Sequence, residues 1–131
     1  MKILVIRTDK PEAEIGLYQD DKRLAYKKWP ADRRLSETTH IELQKILDES
    51  SISLKEVQGI VVFKGPGSFT GLRIGMSVAN ALAYGLKIPI VAKSGKNWIS
   101  LGIKSLLAGG NDRIALPNYG APAKTTLPRR N

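Results

Sequence analysis

Residues Gly65 to Gly75 read GPGSFTGLRIG, four glycines and a proline in eleven residues, directly after the apolar run GIVVF. A strand that ends in a glycine turn and enters a helix is the geometry that takes a phosphate. Unpaired backbone N–H groups and the helix dipole both favour an anion there. The two sequence forms of that chemistry are missing. The Walker pattern needs Lys and then Ser or Thr after its last glycine, and Gly65, Gly67 and Gly71 miss the dinucleotide spacing. A second reading lies inside the helix. Gly71, Gly75, Ala79 and Ala83 recur every fourth position and form one nearly straight ridge of small side chains. Each helical glycine costs about 1 kcal/mol relative to alanine. Such a ridge implies close backbone approach, either to the chain's own sheet or to another protein, and the residues alone leave both open.

Other chemistry is sparse. His40 is the single histidine and there is no cysteine. A two-histidine metal site and a Ser–His–acid set therefore cannot both draw on it, and soft metal ligands are absent. His40 with Glu42 is half of a zinc-deaminase signature without its cysteine pair. Asp20 and Asp21 sit in a turn, and Asp48 and Glu49 close a helix, as solvated pairs. Catalytic, cofactor-binding and metal-ligating residues are accordingly expected to be none. Lys22, Arg23, Lys27, Lys28, Arg33 and Arg34, interleaved with Tyr26 and Trp29, suit RNA. They suit equally the wet side of an edge strand, where lysines block aggregation.

These residues need elements to hold them. KILVIRT, EIGLYQ and KRLAYKKW read as three strands, the last two joined at Asp20–Asp21. Ser36 marks a helix-cap region, and Leu43, Ile46 and Leu47 give an apolar stripe over Thr39–Ser50. GIVVF is a strand that ends at Phe63. A long helix follows with Ser68 as N-cap, then the strand IPIVAK, then a helix stopped by Gly109 and Gly110. The order β-β-β-α-β-α-β-α predicts an α/β fold, a mixed five-stranded sheet with packed helices. Residues 1–110 form the domain and 111–131 a basic, proline-containing tail. In the tail Arg113, Lys124, Arg129 and Arg130 face Asp112 as the only acid.

The totals agree with one globular domain of 131 residues carrying a net charge of +9. That balance favours an anionic partner. The lack of cysteine fits a reducing cytosol. The opening segment reads as a strand, and no apolar run approaches the ~18 residues of a membrane span.

GPGSFTGLRIG resembles the signature of the TsaB (YeaZ) family, accessory proteins of tRNA threonylcarbamoyladenosine biosynthesis. KILVIRT, THIELQKIL, GIVVF and IPIV sit where that family has them, so the likeness spans roughly residues 1–105. It implies the ribonuclease-H-like half of an actin/Hsp70/sugar-kinase fold in a shortened form. It also implies a cytoplasmic, non-catalytic subunit that binds and activates a TsaD-type threonylcarbamoyltransferase in t6A37 modification. A TsaE-type ATPase would join the larger assembly and no cofactor would be needed, while the sequence leaves open whether the chain forms a homodimer when alone. The helices matching Thr39–Ser50 and Ser68–Leu86 would form the partner interface, which places Gly71, Gly75, Ala79, Ala83, His40, Leu43 and Leu47 there. Arg7 stands where such relatives usually have Asp, and it cannot ligate a cation. The alternative is a basic RNA-binding module that holds tRNA directly, with Lys27, Lys28, Arg33, Arg34, Arg129 and Arg130 as contacts.

Overall fold

The computed structural model describes residues 1–118. Strand β1 (Lys2–Arg7) lies at the centre of a five-stranded sheet, and its residues from Ile3 to Ile6 are fully buried. It pairs antiparallel with β2 (Glu12–Gln19), which pairs antiparallel with β3 (Lys22–Pro30) around the Asp20–Asp21 turn. On its other side β1 runs parallel to β4 (Gly59–Phe63), and β4 runs parallel to β5 (Ile90–Lys93), giving the order β3-β2-β1-β4-β5. This is the mixed five-stranded sheet that the order of elements predicts.

Alternation along the strands divides the core into two layers. Leu4, Ile6, Ile15, Leu17, Ile60, Val62 and Ile90 face helices α1 (Leu35–Glu49) and α2 (Phe69–Leu86). Ile3, Val5, Val61, Phe63 and Val91 face α3 (Trp98–Leu107) with Trp98, Ile103 and Leu106. Helix α1 begins at Leu35, earlier than the Thr39 that its stripe suggests. Leu35 and Thr39 are themselves buried, and the Thr39 hydroxyl donates to the Leu35 carbonyl at 2.7 Å, which adds a turn to the apolar face. Ser36 is not its cap; Arg34 holds that position without a side-chain bond. Ser68 does cap α2, accepting from the Gly71 N–H at 3.4 Å.

Asn111–Asn118, expected as the start of a tail, is strapped to the domain. The Asp112 N–H donates to the Ile90 carbonyl, and the Asn111 and Asp112 side chains accept from the Ile90 and Ala92 amides. Asn80 of α2 exchanges two hydrogen bonds with Ala115, and the Asn118 N–H reaches the Lys64 carbonyl. Ala115 thereby joins the α1–α2 core. Among the described residues no helix is long and apolar enough to cross a membrane.

Candidate functional site

The small-residue ridge of α2 faces inward. Gly71, Gly75, Ala79 and Ala83 are all buried. A Cβ at Gly71 would lie inside 3.0 Å of the Thr8 carbonyl oxygen, and one at Gly75 inside 3.0 Å of the Thr8 hydroxyl. That hydroxyl donates to the Gly71 carbonyl at 2.6 Å. The glycines thus let the helix backbone rest on the chain that leaves β1. The expectation that this ridge meets a partner is corrected here: its glycines meet Thr8, and Ala79 and Ala83 pack in the core. Leu43 and Leu47 are likewise core residues, 6% and 2% exposed. They face inward because the apolar stripe of α1 is what packs it on the sheet. Of the expected interface residues only His40 lies at the surface.

The glycine turn is occupied from within. Arg7 Nε donates to Asp9 Oδ1 at 2.7 Å and Arg7 Nη2 to Asp9 Oδ2 at 3.3 Å. The guanidinium carbon lies 3.6 Å from the centre of the Phe63 ring. The Asp9 carboxylate presses on Gly67, leaving no room there for a Cβ. A phosphate at the start of α2 would meet this carboxylate, so the turn is built as a structural joint, with Arg7 supplying the countercharge. Among the described residues no three His, Asp or Glu side chains gather as a metal site requires.

On the α3 side of the sheet the Tyr26 ring packs against Gly16, where a Cβ would strike it. Its hydroxyl donates to Glu14 at 2.5 Å, and Lys10 bonds the same carboxylate. Burial pushes the Glu14 carboxyl up. The bonds from Lys10 and Tyr26 and the charges of Lys10 and Lys28 outweigh that and hold it below the ordinary value. Burial first, and then the bond to Glu14, raise the Tyr26 phenol. This network is satisfied internally.

The open surface is the outer side of α2. Ser77, Ala81 and Gly85 are exposed and recur every fourth position after the exposed Arg73, a second small-residue row on the opposite face of the same helix. A Cβ at Gly85 would meet nothing within 4 Å. With Ser36 and His40 of α1, Arg73, Ser77 and Ala81 border a groove of about 360 Å³ floored by Ile74 and Val78. Among the described residues no acidic side chain lines it. Sequence reasoning found the inner row because its glycines are unusual, and missed the outer row because Ser and Ala on a wet face are not.

The basic residues do not form one surface. Lys27 points to α1 and pairs with Glu49 at 3.0 Å, while Lys28, one residue on, points to the other side of the sheet. Arg33 is exposed, and Arg34 lies 3.7 Å from Glu37. Arg129 and Arg130 lie outside the described residues.

A family model described as TsaD, tRNA N6-adenosine threonylcarbamoyltransferase, matches residues 30–95. The tRNA threonylcarbamoyladenosine biosynthesis protein TsaB of Bacillus subtilis (strain 168) is 35% identical over 123 residues, covering 92% of this chain and 51% of that protein. The structure of YeaZ from Pseudomonas aeruginosa superposes with a TM-score of 0.66 at 27% identity, over 71% of this chain and 43% of the other. The chain belongs to the TsaB/YeaZ family. It spans about half the length of this TsaB and less of the YeaZ chain. RuvC of Thermus thermophilus, with a TM-score of 0.52 at 9% identity, shares the fold alone. The architecture is thus the ribonuclease-H-like half of the actin-type fold.

Proposed function

We propose that this chain is a non-catalytic subunit of tRNA t6A formation that docks a TsaD-type threonylcarbamoyltransferase on the outer faces of α1 and α2 and activates it. The observation that carries this reading is the groove between these helices. An exposed row of small residues beside His40 and Arg73 lets a partner helix approach closely, and the inner glycines already seat α2 on Thr8. Family membership supports the pathway. The Arg7–Asp9 pair supports the absence of catalysis, because it fills the turn that would have to hold a metal or phosphate. A TsaE-type ATPase would join the larger assembly.

The test is size-exclusion chromatography of the chain with the TsaD-type enzyme from the same genome, without RNA. Wild type is expected to co-elute, and Ser77→Arg to elute alone while keeping its melting temperature. Failure of the wild type to co-elute refutes the docking. A tRNA gel shift by the chain alone, falling steeply with salt, would instead favour the RNA-binding reading.

A further inference from the structure

A second groove lies at the C-terminal end of α2, between that helix and the 111–118 strap, and encloses about 950 Å³. Its floor is apolar, formed by Ala83, Ile88 and Pro89. Its walls are Tyr84 and Ile114, large side chains that are 89% and 64% exposed. Lys87 and Arg113 stand on its rim, and among the described residues no acid lines it. Both cations hold left-handed backbone conformations, with φ of 58° and 68°. Neither is a glycine or asparagine, the residues that take this conformation at least cost. Lys87 is the left-handed cap that ends α2, its N–H donating to the Ala83 carbonyl, so the helix end itself holds this cation at the groove.

The polar groups that could orient a small molecule are already used. Both amide atoms of Asn80 bond Ala115, and Asn111 Oδ1 accepts from the Ile90 and Arg113 amides. What remains is an apolar floor, an exposed aromatic wall and a cationic rim. That is the anatomy of a protein-interface anchor rather than of a ligand pocket with convergent polar groups. We infer that this groove binds a short segment of a partner protein in which an aliphatic anchor is flanked by Asp or Glu. The anchor seats on Ile88 and Pro89 beside Tyr84, and the carboxylates meet Lys87 and Arg113. This site meets the α1–α2 groove at Ala81, which lines both, and its apolar floor and cationic rim lie beyond that groove.

The probe is a short fluorescein-labelled peptide with two leucines between Asp/Glu runs. Its controls carry Lys in place of the acids or Ser in place of the leucines. Anisotropy of the full chain with the acidic probe is expected to rise saturably, and both controls to bind at least about tenfold more weakly. The Lys87→Asp, Arg113→Asp pair keeps side chains that tolerate the left-handed region. It should lose the acidic probe and gain the lysine probe, and circular dichroism reports whether it is folded. Should that pair not fold, Lys87→Asn with Arg113→Asn removes the charge alone and must still weaken the acidic probe. Amide shifts should centre on Tyr84 and Ile114 and spare Ser77. No saturable binding, or equal affinity in the charge variants, overturns the proposal. So does a dimer in sedimentation that Tyr84→Asp dissolves, since the occupant would then be a second copy of this chain.

Discussion

Helix α2 carries two rows of small residues that are alike in composition and opposite in use. The glycines of the inner row meet the Thr8 backbone and hydroxyl so closely that a Cβ on either would clash. The outer row, Ser77, Ala81 and Gly85, is exposed on the far side. A small residue therefore marks close approach in one case and leaves room for it in the other. The neighbour, not the residue, decides which.

Substitutions separate the two rows. Gly71→Ala is expected to do most damage, because the added carbon meets the Thr8 carbonyl, a backbone atom that cannot rotate away. A loss of about 3 kcal/mol in urea unfolding is expected, at the upper end for overpacking. A loss under about 0.5 kcal/mol would mean that α2 does not sit this close. Ala81→Arg on the outer row should leave unfolding unchanged and weaken affinity for the TsaD-type enzyme by about 2 kcal/mol, read by calorimetry. Equal damage to stability would erase the distinction between the faces.

Smaller effects sharpen it with a contact made by a movable side chain. Tyr26→Phe removes the bond to Glu14 and should cost about 1 kcal/mol near neutral pH. Glu14 is held below its ordinary value of 4.5, so its contribution is present above that value and is lost as pH falls through the lower folded one. The variant lacks part of this lowering, so its deficit against wild type should shrink on acidification below 4.5. A deficit that does not change with pH would show that the bond to Glu14 is not its source. Ser68→Ala should cost least, about 0.5 kcal/mol, because the cap bond is long at 3.4 Å and Ser68 itself is exposed.

The strands and the three helices were legible because each has its own periodicity: β-branched runs for β1 and β4, a helical stripe for α1, and Ser68 ahead of the α2 glycines. The direction of the inner ridge was not legible, since four small residues at helical spacing suit any close neighbour. That Thr8 would be the neighbour depends on parallel pairing of β1 and β4, a contact between segments far apart in sequence. The strap was invisible for a similar reason. Asn80, Asn111 and Asp112 look like ordinary surface polar residues, and their bonds reach partners 20 to 35 positions away. The outer groove went unread because it is a space between helices, and single positions do not describe spaces.

The strap also settles how the sheet ends. An open strand edge is a template on which another chain can add a strand. At β3 that edge is guarded by charge, with Lys22, Arg23, Lys27 and Lys28 along nine residues. At β5 there is one terminal lysine, and Asn111 and Asp112 take up the amides of Ile90 and Ala92 themselves. The two borders would therefore fail under different conditions. High salt would weaken the guard on β3 by screening its lysines and leave the other border shut. Peeling residues 111–112 from β5 would bare an apolar strand whatever the ionic strength, and propagation into fibrils would start there.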